Sequence, residues 1–316
     1  MLEQVSSAEV CRACGAALDQ SNPPQDRLCE KCRAQQPVSW QQANDPAIAV
    51  SPAYSLYEPA ATAQPSGQLD PDRPRWGAWT GLGVWLFSLA AIFVVPAVAM
   101  IALIFLDRAR GIELPPMINQ NDIPPRLLLV GVYATLGSHL ITLVFCWAVV
   151  TKLREQPFLK SLGWNWAGRS ALYWALASIV IIASVIVAGL IFDKFLPEKE
   201  TSFDALLKSS QQVKIAVVLL AVTSAPFVEE VIYRGILYAG LRKRLGAVST
   251  VITVTLFFAG VHFLQYWGAW ASLAGLTLLS LILTVVRAKT KSILPCVLIH
   301  FANNALSAVY ILMRKM

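Results

Sequence analysis

From Trp76 to the C-terminus the chain is a series of long apolar runs, broken by short basic or aromatic stretches. A membrane-spanning helix needs about 20 consecutive apolar residues. Seven runs approach that length: 78–106, 127–151, 170–192, 213–241, 247–266, 270–286 and 292–312. A transmembrane barrel would instead show short segments of alternating hydrophobicity. The chain is 56% hydrophobic and 14% charged, whereas soluble domains are about a quarter charged. The pattern predicts an all-α polytopic membrane protein of about seven spans, filling a transmembrane helical domain at residues 77–316. Gln265-Tyr266-Trp267-Gly268 joins the fifth and sixth runs, and its aromatics suit the headgroup level.

The first 76 residues read differently. Residues 35–76 scatter prolines among Ala, Gln and Ser. Such a stretch buries too little apolar surface to offset the entropy of ordering, which predicts an extended, flexible linker. Residues 1–34 carry Cys11, Cys14, Cys29 and Cys32 in a C-x2-C-x14-C-x2-C pattern. Two such knuckles can close a tetrahedral zinc site with four thiolate ligands. A unit this small has too little core to fold without metal. It resembles a minimal zinc ribbon, expected to act as a docking or regulatory module for a protein partner. Redox thiols, or unpaired cysteines in a disordered tail, are the competing reading. Cys146 and Cys296 sit alone in apolar runs and are expected to be small core hydrophobes. Residues before Cys11 are polar, so no secretory leader is expected.

The net charge of +7 is gathered in clusters between apolar runs, such as Arg242-Lys243-Arg244 and Arg287/Lys289/Lys291. That placement reads as orientation signal and lipid-headgroup contact, not as a nucleic-acid surface. With the N-terminus inside, the loops and flanks of the spans hold twelve Lys or Arg residues on the inner side and eight on the outer. The expectation is a multi-pass protein of the plasma membrane with a cytoplasmic N-terminus. Reducing cytosol would keep the cysteine thiols available for metal.

Ionisable groups inside apolar spans are functional by default. In the fourth run, Glu229-Glu230 precedes Arg234, with Pro226 loosening the backbone just before them. Glu230 and Arg234 are four residues apart and share a helix face, so they can pair. Glu229 is rotated about 100° away and has no local counter-ion, as suits a general base. Phe258-Ala-Gly-Val-His262 occupies the fifth run, and His300-Phe-Ala-Asn-Asn304 the seventh. His300 and Asn304 again share a face. An Asn this deep is expected to bond another helix or line a cavity. Counted at 1.5 Å per residue, Glu229, His262 and His300 lie within about 10 Å of one level. His139, in the second run, is expected to make an interhelical hydrogen bond.

The ordered motifs Glu229-Glu230-xxx-Arg234, Phe258-xxx-His262 and His300-xxx-Asn304 resemble those of the CAAX prenyl protease and bacteriocin-processing (CPBP, or Abi) family of intramembrane proteases. The resemblance covers about 170–312, the expected protease core. It implies an intramembrane endopeptidase acting on a peptide or membrane-protein substrate, as in CAAX processing. Glu229 would activate water, aided by His262. His300 and Asn304 would polarise the scissile carbonyl or hold its oxyanion. Glu230, Arg234 and Phe258 would support the site's geometry. Glu229, His262 and His300 could form a zinc site of two imidazoles and one carboxylate, yet no HExxH is present. A metal-free glutamate-and-histidine mechanism fits the same residues.

Two other functions compete. One is a non-catalytic membrane scaffold or bacteriocin-immunity-type protein keeping the motifs for structure. The other is a proton-coupled transporter, disfavoured by the lack of an internal repeat.

Overall fold

The structure, a computed structural model, describes residues 69–113 and 123–313. The expected cysteine unit and the linker up to residue 68 lie outside the described residues. Those described belong to one compact unit, Pro65–Met316, and their regular elements are all helical. They are α1 (Ala78–Ala109), α2 (Pro125–Thr151), the short α3 (Phe158–Ser161), α4 (Ala171–Phe195), α5 (Ser202–Ser209), α6 (Gln211–Val222) and α7 (Ser224–Glu230). A π-helical segment, Val231–Leu237, follows, then α8 (Tyr238–His262), α9 (Trp270–Thr290) and α10 (Leu294–Met313).

Local chemistry sets several of these ends. Pro125 occupies the first turn of α2, where its missing N–H costs nothing. Ser170 caps α4 by accepting from the Tyr173 N–H at 3.1 Å. Thr201 and Asp204 close a reciprocal capping box on α5.

Among the described residues, six helical runs are long and apolar enough to cross a bilayer. The fourth, Gln211–His262, has 52 residues. On one straight helix Tyr233 and Phe258 would lie about 38 Å apart. Their rings are in fact 5.0 Å apart in an edge-on contact. The run therefore folds back on itself, at Gly246. This residue has φ 74° and ψ 179°, a conformation that β-carbons disfavour. The turn divides the fourth run into the separate fourth and fifth segments that the apolar pattern predicts. A loop was expected between residues 241 and 247; the chain turns there on one glycine.

Burial is inverted relative to a soluble protein. Phe93, Phe105, Val180 and Leu190 stand exposed on the outer faces, while Glu230, Arg234, Ser280, Thr284, Arg287 and His300 are buried. Apolar outer faces suit lipid tails, and polar groups withdrawn into the bundle find partners there. The protein is a multi-pass integral membrane protein. The π-helical segment and α8 lie at its centre, with Val231, Ile236, Leu237, Tyr238 and Phe258 forming the largest apolar cluster. Trp85 of α1 stacks on Phe257 at 4.6 Å and donates to the Tyr233 hydroxyl at 3.2 Å. Ser138 of α2 donates to the Ala91 carbonyl of α1 at 2.9 Å.

Candidate active site

Glu230 is the last residue of α7, and Arg234 stands one turn later in the π-helical segment. Both side chains are fully buried and pair at 3.0 Å. Arg234 also donates from Nη2 to the Ser280 carbonyl and hydroxyl at 3.0 and 2.9 Å. Its Nε reaches Thr284 Oγ1 at 3.3 Å. The Phe258 ring lies 4.8 Å from the guanidinium carbon. A buried guanidinium needs such complete pairing, since it cannot shed its charge. The pairing read from the four-residue spacing is present, with α9 adding three further acceptors.

The carboxylate of Glu230 also grips α10. His300 Nδ1 lies 2.8 Å from Glu230 Oε1. A proton on Nδ1 makes this bond to Oε1 and turns Nε2 the other way. There it faces Glu229 Oε2 at 3.7 Å, too long for a direct hydrogen bond. Water of the right orientation can contact both groups. Glu229 is 24% exposed where Glu230 is wholly buried. The adjacent acids thus sit differently: Glu230 is locked into a buried ion pair, while Glu229 stays partly exposed opposite the His300 imidazole.

Phe258 connects the motifs. Its ring centroid is 4.8 Å from that of His262 and 6.0 Å from that of His300. His262 ends α8, and its Nδ1 lies 2.9 Å from the Phe258 carbonyl, so Nδ1 carries the proton and Nε2 is left free. Asn304 Nδ2 donates to the Ala221 carbonyl at 2.9 Å, tying α10 to α6. Its Oδ1 accepts from Asn303 at 3.3 Å. One amide hydrogen of Asn304 remains for another acceptor. His139 bonds Ser224 Oγ at 2.9 Å, joining α2 to α7. The structure thus brings Glu229, Glu230, Arg234, Phe258 and His300 into one contact network. His262 joins through Phe258, and Asn304 through the end of α6.

The donor set fits a zinc site only in part. Metal-bound imidazoles usually donate their second nitrogen to a carboxylate or carbonyl, and His300 and His262 both do so. Yet among the described residues no three His, Cys, Asp or Glu side chains converge at metal-holding distance. The three-ligand set does not assemble in this arrangement.

Sequence reading missed one participant. Arg287, assigned to a headgroup cluster, is fully buried and donates from Nε to the Arg234 carbonyl at 3.1 Å. Its neighbours at helical spacing, Ser280 and Thr284, mark the same polar face and were the available signal. Tyr266 lies in the turn after α8, which ends at His262, short of the expected run. Burial, with the Asp204 and Glu229 carboxylates adding to it, pushes its phenol up to about 12.

Residues 211–306 match the family described as Rce1-like, type II CAAX prenyl endopeptidase. The matched stretch holds every residue from Glu229 to Asn304. No curated protein and no solved structure matches the chain significantly.

Proposed function

Because residues 211–306 belong to the Rce1-like family of type II CAAX prenyl endopeptidases, we propose that the protein is an intramembrane endopeptidase in which Glu229 activates water. The observation that carries this reading is the facing pair of Glu229 Oε2 and His300 Nε2 at 3.7 Å, with the far side of His300 fixed by the buried Glu230–Arg234 pair. A water seated at this pair gives one proton to Glu229 as its oxygen attacks the scissile carbonyl carbon. The carbonyl π electrons move to oxygen, where the free amide hydrogen of Asn304 is the available donor. Collapse of the tetrahedral species restores the carbonyl and breaks the C–N bond. The leaving amine takes the proton from Glu229. No step runs through a metal.

An apolar cavity of about 200 Å³ is lined by residues including Trp164, Pro226, Phe227, Leu298 and Phe301. Phe227 is two residues before Glu229, and Phe301 follows His300. A cavity of this composition suits an aliphatic or prenylated segment of a substrate. Within this reading the N-terminus is cytoplasmic in the plasma membrane, and the four N-terminal cysteines hold zinc in a unit that docks a protein partner.

The test is terminal-peptide profiling of membrane proteins from cells expressing the wild type or Glu229→Ala. New termini that vanish in Glu229→Ala are expected. A Glu229→Ala protein with wild-type products, or one that fully restores a knockout phenotype, would replace proteolysis with the scaffold function.

A further inference from the structure

The residues just before α1 lie against the catalytic helices. Trp76 is buried, and its indole N–H donates to the Ile236 carbonyl at 3.0 Å. Asp72 Oδ1 and the Pro71 carbonyl accept from the Arg287 guanidinium at 2.7 and 3.0 Å. Asp70 pairs with Lys291 at 3.6 Å, and Lys243 donates to the Pro74 carbonyl. The approach is close: a β-carbon on Gly240 of α8 would lie 2.8 Å from the Gly77 carbonyl oxygen.

Two of these donors end on one element. Arg287 Nε serves the Arg234 carbonyl and Trp76 Nε1 the Ile236 carbonyl. Both carbonyls belong to the π-helical segment, whose closing bond runs from the Tyr238 N–H to the Tyr233 carbonyl. A π-turn is rare and less favourable than the α-turns flanking it, so it needs outside support. The contacts then continue without a break. Asp72 holds Arg287, Arg287 holds the backbone of Arg234, the Arg234 side chain holds Glu230, and Glu230 holds His300 opposite Glu229.

We propose that Asp72 and Arg287 are positioning residues of the protease, a juxtamembrane strap (69–77) that fixes the π-helical segment and so aligns His300 with Glu229. This role presupposes the proteolytic reading of the site. Neither side chain needs to touch substrate. The strap acts on the rate of the bound complex and leaves substrate affinity alone.

The experiment uses the full chain in proteoliposomes. The probe is a fluorescence-quenched peptide with a farnesylated cysteine followed by three apolar residues. Asp72→Asn keeps the shape and removes the charge, and Asp72→Glu restores it. Trp76→Phe removes the second donor while keeping the ring. Asp72→Asn and Trp76→Phe are each expected to lower kcat by about 10- to 100-fold per folded molecule with KM unchanged, the size typical of a small misplacement transmitted from a distance. Asp72→Glu is expected to recover most of that rate. Amide exchange over residues 231–241 reads the strap without turnover, and is expected to accelerate in Asp72→Asn. Unchanged kcat together with unchanged exchange overturns the positioning role, even while Glu229-dependent cleavage stands. Loss of folded yield with normal kcat per folded molecule also overturns it. Probe cleavage that persists in Glu229→Ala, or no cleavage by the wild type, overturns the proteolytic reading and the strap's role with it.

Discussion

Removing the Glu230 carboxylate should destabilise the fold far more than removing its partner. In Glu230→Ala the Arg234 guanidinium stays fully buried and keeps only the neutral Ser280 and Thr284 acceptors. Breaking a buried pair by deleting one partner typically costs about 3–5 kcal/mol. His300 Nδ1 loses its acceptor at the same time. In Arg234→Met the surviving carboxylate keeps the His300 bond, and a carboxylate, unlike guanidinium, can neutralise itself by taking up a proton. A smaller loss, about 1–3 kcal/mol, is expected there. The Ser280 carbonyl keeps a partner in that variant, because the Thr284 hydroxyl donates to it at 2.7 Å. The double variant Glu230→Leu/Arg234→Met removes both charges and should be more stable than Glu230→Ala alone. Equilibrium unfolding by SDS in mixed micelles measures all three. Glu230→Ala within about 1 kcal/mol of wild type, or a double variant whose loss is the sum of the singles, would refute a tightly coupled buried pair.

Gly240→Ala places a β-carbon 2.8 Å from the Gly77 carbonyl and should lower stability by about 1–3 kcal/mol in the same assay. Gly83→Ala, with no neighbour inside 4 Å, should be neutral or gain up to about 1 kcal/mol. The Tyr266 phenol, pushed up to about 12, is held above its unfolded value near 10. Its contribution to stability is therefore complete below about pH 10 and lost as pH rises toward 12. Ultraviolet titration should lose one late tyrosinate step in Tyr266→Phe, with the pH–rate profile below pH 10 unchanged. Leu298→Trp fills part of the apolar cavity and should raise KM for the farnesylated probe with little change in cleavage of a shorter, unprenylated peptide. Equal KM shifts for both would detach the cavity from substrate binding.

What the sequence made legible follows from what is local. Apolar runs define spans because lipid enforces length and internal hydrogen bonding. Glu230 and Arg234 are readable as a pair because four residues complete a helical turn. Depth counting placed Glu229 and His300 at one level, and the two side chains do face each other. Non-local facts were hidden. That Glu230 serves both Arg234 and His300 depends on which face of α10 packs against α7. Arg287 looked like a headgroup cation because its span-end position fits that role equally well. Only the packing of residues 69–77 gives it Asp72. The same packing departs from an extended linker over these last residues. The π-helical segment left no composition signal, since Val231–Leu237 reads as ordinary helix.

The most direct measurement is the single-turnover cleavage rate of the farnesylated probe by purified wild type and Glu229→Gln in proteoliposomes at matched folded fraction. Glutamine keeps the size of the side chain and removes the base. A fall of about 10²- to 10⁴-fold is expected, the usual contribution of a general base. A Glu229→Gln rate within twofold of wild type would contradict water activation by this carboxylate.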